Sequence, residues 1–261
     1  MPNVLIEFQN VDKSFPMKEG EVQVLKNISL KILEGEFVII FGPSGCGKST
    51  FLHVLLGLEA PTDGQVIFDG KDFYQASEDE RALVRRYKVG MVYQQPLWVS
   101  ALRVFENVGF PLHLLGWLQA EIDKKVEEVL ELVEMTNRKN FYPTELSSGQ
   151  QQKISLARSL VTDPILIVAD EPTGNLDTVS GHQLLETFLK LKEKGKTIVM
   201  VTHDLEYLKY ATKIFHMVDG QIVEEYYPKK QIQLNGETKK SVNGIFDINV
   251  RDPKLLEKLK I

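Results

Sequence analysis

Gly42-Pro43-Ser44-Gly45-Cys46-Gly47-Lys48-Ser49-Thr50 fits the pattern G-x-x-x-x-G-K-[ST] and directly follows the apolar run Phe37–Phe41. That run is β-branched and aromatic without a break, which suits a parallel strand buried on both faces. Thr50–Leu58 reads as a helix. Strand, glycine-rich bend and helix in this order constrain the chain to an α/β fold built around a phosphate cradle. The glycines let the backbone curl so that successive N–H groups point at phosphate oxygens. The helix N-terminus adds partial positive charge. Lys48 is expected to reach the β- and γ-phosphates, and the Ser49 hydroxyl to ligate Mg²⁺. Gly42, Ser44, Gly45, Cys46, Gly47 and Thr50 complete the cradle. Cys46 reads as small filler, yet its modification is expected to obstruct nucleotide.

The rest of the chain continues the alternation. Val4–Phe8 and Val22–Ile32 read as strands of an antiparallel edge sheet, interrupted at Gly20 and Asn27. Gln65–Phe68, Val89–Tyr93, Ile165–Ala169 and Thr197–Val201 are further strands, and Ser77–Arg86 is an exposed helix. Asp219-Gly220 marks a hairpin between Ile214–Val218 and Gln221–Glu225. From Gln94 to Leu160 the pattern is helical: Ile122, Val126, Val129, Leu130 and Val133 fall on one helix face. Strands alternating with helices predict a parallel α/β core. The expected organisation is a nucleotide-binding domain over 1–228, with a helical subdomain over about 94–160 and an extension over 229–261.

Ile165–Ala169 ends in Asp170 and Glu171. A carboxylate at the end of a parallel strand can hold the Mg²⁺ shell, the role read for Asp170. Glu171 can polarise a water for attack on the γ-phosphate. An Asp-Glu pair is ordinarily a solvated loop; five apolar residues before it and a phosphate cradle in the same chain favour function.

Composition narrows the partners. Apolar residues make up 43% and charged residues 26%, enough for a substantial soluble core. Thirty-one Lys and Arg against 36 Asp and Glu give a net charge of −5, unsuited to coating nucleic acid. One cysteine excludes an internal disulfide and a paired-Cys metal site, and fits a reducing compartment. No apolar run approaches the ~20 residues of a membrane span, and MPNVLIEFQN lacks the pattern of a signal peptide. The expected location is cytoplasmic, peripheral on the inner face of the membrane through a partner.

Leu146-Ser147-Ser148-Gly149-Gln150-Gln151-Gln152 lies between the helical block and the acidic strand. With the cradle and Asp170-Glu171 it resembles the signature sequence LSGGQ of ATP-binding cassette (ABC) proteins. Gln94 is similarly placed to the family's Q-loop glutamine, Asp177 of Gly174-Asn175-Leu176-Asp177 to its D-loop, and His203 to its switch histidine. Phe15 lies where the family has an aromatic that stacks on adenine. The resemblance covers about Leu5 to Val223. Glu171-Pro172-Thr173-Gly174-Asn175-Leu176-Asp177, the glutamines after Gly149, and Glu106-Asn107-Val108 resemble the macrolide-efflux and lipoprotein-release branch, which includes a cell-division ATPase.

The resemblance implies a P-loop NTPase core with an antiparallel β subdomain and an inserted α-helical subdomain. It implies ATP hydrolysis by a head-to-tail homodimer, with each ATP between Lys48 and Ser49 of one copy and Ser147, Ser148, Gly149 and Gln150 of the other. Gln94 would sense Mg²⁺ and the γ-phosphate, and His203 would hydrogen-bond the γ-phosphate and the attacking water. Ser148 replaces the first signature glycine: strained if φ is positive, tolerated if helical. Lys153 stands where the family often has Arg, keeping charge but losing the planar fork.

An integral-membrane transporter subunit is the implied partner. Leu97, Trp98, Val99, Leu102, Val104, Phe105, Phe110, Leu112, Leu114, Leu115 and Trp117 crowd the stretch after Gln94. Some are core; part is expected to receive a short helix of that partner. Residues 229–261 hold eight Lys or Arg and four acids, read as a solvated extension or a contact with anionic lipid or the partner. The leading reading is the ATPase subunit of a membrane transporter. The alternative is a regulatory or mechanotransmission module of the cell-division type. Repair and translation members of the family carry a long coiled coil or two cassettes, and neither is present; a small kinase would lack the signature loop.

Overall fold

The computed structural model describes residues 3–18 and 20–228. The extension 229–261 lies outside the described residues. The elements are β1 (Val4–Met17), β2 (Gly20–Leu33), β3 (Phe37–Phe41), α1 (Lys48–Leu55), β4 (Asp63–Phe68), β5 (Lys71–Asp72), α2 (Glu78–Lys88) and β6 (Val89–Val92). They continue with α3 (Val104–Leu114), α4 (Gln119–Leu132), α5 (Ser148–Leu160), β7 (Leu166–Asp170), α6 (Thr178–Glu193), β8 (Thr197–Thr202), β9 (Lys213–Val218) and β10 (Gln221–Tyr226). A 3₁₀ segment, Leu205–Tyr210, follows β8.

The central sheet runs β10-β9-β3-β8-β7-β6, parallel from β9 to β6 with β10 antiparallel at the edge. A second sheet, β2-β1-β4-β5, is antiparallel throughout. β3 shows why its sequence is continuously apolar. Phe37, Ile39 and Phe41 pack into one core with the helical elements; Val38 and Ile40 enter a second core against α1 and the antiparallel sheet. With no solvent face, no residue of the strand can be polar at low cost.

Ile122, Val126, Val129, Leu130 and Val133 are all buried in the first core, as the helical spacing predicts. Several boundaries differ from the sequence reading. α1 begins at Lys48, because Gly47 at φ 106° ends the loop there, and it stops at Leu55, leaving Leu58 exposed. β4 starts at Asp63, two residues before the expected start at Gln65. β1 and β2 are longer than expected. Asn27 does not break β2: it sits at φ 50° within an irregular stretch of the ladder, where Asp12 Oδ1 accepts from Asn27 N at 2.9 Å. Residues 94–103 are not helical; buried Asn107 holds that stretch, accepting from Val99 N and donating to the carbonyls of Val99, Leu102 and Arg103.

Candidate functional site

β3, β8 and β7 lie side by side, with Phe41 opposite Thr202 and Asp170 opposite Val201. Gly42, His203 and Glu171, the residues that follow these strand ends, are therefore forced onto the carboxyl edge of the sheet, where open α/β sheets bind ligands.

The glycine-rich loop fits a triphosphate. A Cβ on Gly42 would fall 2.1 Å from Met217 O and 2.9 Å from Cys46 Sγ, so only glycine passes there. Cys46 is buried, and burial pushes its thiol pKa up, in keeping with filler. Cys46 N donates to Pro43 O at 3.3 Å and Gly220 N to Cys46 O at 3.0 Å, pinning the bend. Lys48 is buried, and its Nζ donates to Gly42 O at 2.9 Å and Pro43 O at 3.0 Å. Both are neutral backbone acceptors of the loop itself. Ser44 and Gly45 are exposed on the loop, Ser49 is exposed in the first turn of α1, and Thr50 is half-buried.

Glu171 adopts φ 43°, unusual for a residue with a side chain. Its N donates to Val201 O and its O accepts from Gly174 N, both at 3.0 Å, and these bonds hold the bend. One carboxylate oxygen lies 3.9 Å from Lys48 Nζ, the other 3.1 Å from His203 Nδ1. Burial, and then the neighbouring Glu171 charge, raise the Asp170 pKa. A divalent cation would offset both effects. Ser49, Asp170 and Gln94 offer a hydroxyl, a carboxylate and an amide oxygen, a hard donor set suited to Mg²⁺ that retains waters. Gln94 follows β6, and Asn175 Nδ2 donates to its carbonyl at 3.3 Å. Its amide crowds Gly174, where a Cβ would meet Nε2 at 2.7 Å.

A second group lies on α5 and α6. Ser147 caps α5: its Oγ accepts from Gln150 N at 3.3 Å, and its N donates to Gln150 Oε1 at 3.2 Å. Ser148 is the first residue of the helix and does not have positive φ, so serine is tolerated there. Asp177 caps α6, accepting from Ser180 N and Oγ at 2.9 and 2.7 Å, which lowers its carboxyl pKa. The two N-termini touch, since a Cβ on Gly149 would lie 3.0 Å from Ser180 Oγ. A cavity of about 270 Å³ beside them is lined by Ser147, Gly149, Gln150, Lys153, Ser180 and Gln183 among others. Lys153 pairs with Glu134 at 3.6 Å.

Lys48, Asp170, Glu171 and His203 thus come together at the strand ends, while Ser147–Gln150 and Asp177 form a separate group. Phe15 is half-buried on β1 opposite Val22, with Lys13 Nζ 4.7 Å from its ring centroid. Two residues beyond Val22, the carbonyl of Val24 lies beside Gly47.

Some contacts were not foreseen. Gln152 Nε2 donates to Tyr93 O at 2.8 Å, Trp98 Nε1 to Gln151 Oε1 at 3.0 Å, and the Arg158 guanidinium covers the Trp98 ring at 4.6 Å. The helix opened by Ser147 is thereby tied to the residues flanking Gln94. The run of glutamines after Gly149 was the only hint in the sequence. The apolar stretch also divides: Val104 and Leu112 are core, and Trp98, Phe105 and Leu115 pack against it. Leu97, Val99, Phe110, Leu114 and Trp117 remain exposed.

Fold and site define a P-loop nucleotide hydrolase with an inserted helical block. Residues 25–174 match the ABC transporter family. The chain belongs to that family and is an ABC-type ATPase of the transporter class. It is 47% identical over 220 residues, 84% of its length and 98% of the relative's, to an uncharacterized ABC transporter ATP-binding protein of Methanocaldococcus jannaschii. It is 40% identical over 222 residues, 85% of its length and 96% of the relative's, to a cell division ATP-binding protein of Bacillus subtilis. It is 39% identical over 231 residues to a macrolide export ATP-binding/permease protein of Chlorobaculum tepidum, covering 88% of this chain and 35% of that one. These relatives match the macrolide-export and cell-division branch. Among solved structures, the dimeric ABC transporter cassette MJ0796, also of Methanocaldococcus jannaschii, aligns with a TM-score of 0.80 at 38% identity over 86% of this chain and 99% of that one. A post-hydrolysis dimer of that cassette, bound to ADP and Pi, aligns equally well.

Proposed function

We propose that two copies of this chain clasp Mg²⁺-ATP head to tail, and that hydrolysis releases them to drive an integral-membrane partner. The observation that carries this reading is the position of Glu171 between Lys48 and His203, at the end of β7, with only β8 between it and the cradle's strand β3.

Lys48 holds the β- and γ-phosphates, exchanging its bonds to Gly42 O and Pro43 O for stronger charge-assisted ones. Glu171 accepts a proton from the attacking water as the water oxygen bonds to the γ-phosphorus and the bond from that phosphorus to the bridging oxygen breaks, leaving ADP and inorganic phosphate. His203 steadies Glu171 and the γ-phosphate. Ser49, Asp170 and Gln94 would hold Mg²⁺, which supplies charge neutralisation at the phosphates. Phe15 stacks on adenine. Ser147, Ser148, Gly149 and Gln150 present the α5 N-terminus to the γ-phosphate held by the other copy, with Asp177 alongside. ATP then favours the closed pair through contacts made only there. Tyr93–Trp98 and α5 move as one body because Gln151, Gln152 and Arg158 bind them together.

Residues 1–228 form the nucleotide-binding domain, with the helical subdomain over about 94–160. Leu97, Val99, Leu114 and Trp117 offer an exposed apolar surface to a cytoplasmic helix of the membrane partner. The chain is then cytoplasmic and held peripherally on the inner face. Among the described residues no helix is long and apolar enough to cross a membrane. Co-purification from membranes tests this: recovery of a stoichiometric integral-membrane protein supports it, and recovery without one contradicts it. A partner that transports nothing would select the cell-division type of module, a reading that the 40% identity to the Bacillus subtilis protein also supports.

A further inference from the structure

His182 lies in the second turn of α6, the helix that opens at Asp177. Both of its ring nitrogens are engaged by the 3₁₀ segment that follows His203. Nδ1 is 2.8 Å from Tyr210 Oη, and Nε2 is 2.6 Å from Glu206 Oε1. The ring meets Tyr207 edge-on at 5.5 Å. Tyr207 closes the same joint: a Cβ on Gly181 would fall 2.4 Å from its hydroxyl, and it hydrogen-bonds Thr173, buried between Glu171 and Asp177.

A neutral imidazole has one donor and one acceptor. The carboxylate of Glu206 can only accept, so Nε2–H donates to it and Nδ1 accepts from the Tyr210 hydroxyl. Flipping the ring would put Cε1 against the carboxylate and Cδ2 against the Tyr210 hydroxyl and lose both bonds, so the joint has one orientation. On the other side of His203, Asp204 N donates to Thr202 Oγ1 at 3.0 Å, and Asp204 Oδ1 accepts from Glu206 N at 2.9 Å. The bend carrying His203 is thereby fixed at the strand and again at α6.

The geometry points to His182, with Glu206 and Tyr210, as a positioning residue that sets the approach of His203 to Glu171 during hydrolysis. His182 touches neither of them. It acts by docking the His203 segment on the helix that continues the Glu171–Asp177 loop. The inference rests on the roles given above to Glu171 and His203. The loss of one hydrogen-bonded joint is enough to matter, because small misplacements remote from the chemistry cost rates of up to about a hundredfold.

The test is ATP hydrolysis by the full chain in single-turnover and steady-state assays. His182→Leu is expected to lower kcat by about tenfold or more with KM for ATP held within about twofold. His182→Gln, whose amide can donate to Glu206, recovers most of the loss. In a His203→Ala background, His182→Leu costs less than about twofold more, because residues acting through one another are not additive. A raised KM at unchanged kcat, an unchanged rate, or a full multiplicative loss in the His203→Ala background overturns the inference. Should His182→Leu fail to fold, Tyr210→Phe removes one hydroxyl and is read the same way. A His203→Ala chain of full activity would sink the site reading itself, and this inference with it.

Discussion

His203 Nδ1 lies 3.1 Å from Glu171 Oε2, although the two follow different strands. β8 and β7 are neighbours in register, so the residue after each strand end comes within hydrogen-bond reach of the other. The second oxygen of Glu171 faces Lys48 of the loop after β3. A carboxylate held between an imidazole and an ammonium at the mouth of a phosphate cradle has a fixed orientation before any substrate arrives, which is what lowers the reorganisation cost of catalysis.

Lys48→Ala removes the ammonium from that arrangement. ATP binding or hydrolysis is expected to fall by about a hundredfold or more, the scale of losing one charged contact to a developing transition state. Equilibrium binding of labelled ATP and phosphate release measure the two separately. Unchanged activity would reject the cradle as assigned.

Ser148→Gly tests the departure in the signature loop. Ser148 opens α5 with no positive φ, so the serine stores no backbone strain. Hydrolysis by Ser148→Gly is expected to be preserved or raised. A large loss of kcat would show that the hydroxyl itself has a role.

The exposed apolar face gives a third outcome. Leu114→Glu and Trp117→Glu are expected to weaken co-purification of the membrane partner while leaving basal ATP hydrolysis within about twofold, because both side chains are exposed at or just after the end of α3 and neither belongs to the strand-end cluster. Trp98→Ala is a poorer probe, since Trp98 is held by Gln151 and Arg158 and its loss disturbs α5. Intact partner capture by both glutamate variants would contradict the docking surface.

The core was legible because its central strands β3 and β8 have no solvent face. Phe37–Phe41 had to be buried on both sides, and the glycine-rich loop and the Asp170-Glu171 pair declared themselves at strand ends. Ile122 through Val133 revealed a helix by spacing alone. Strand ends and turns were less legible, because tertiary contacts set them: Asp12 keeps Asn27 inside β2, and Gly47 starts α1 two residues early. Burial within the crowded apolar stretch could not be read either. Trp98 and Leu114 look alike in sequence, and only the position of α5 separates a packed indole from an exposed leucine. The joint at His182 has no local signature, because its partners lie on another element and meet it only through the fold.

ATP-dependent pairing of the Glu171→Gln chain tests the central claim most directly. Substituting the proton acceptor with its neutral isostere should preserve binding, stop turnover and hold the clasped form. Sedimentation or light scattering should then show the mass doubling with Mg²⁺-ATP and returning to monomer without nucleotide or when Ser147 is also replaced by a bulky residue. A Glu171→Gln chain that binds ATP yet stays monomeric at high concentration would contradict the account.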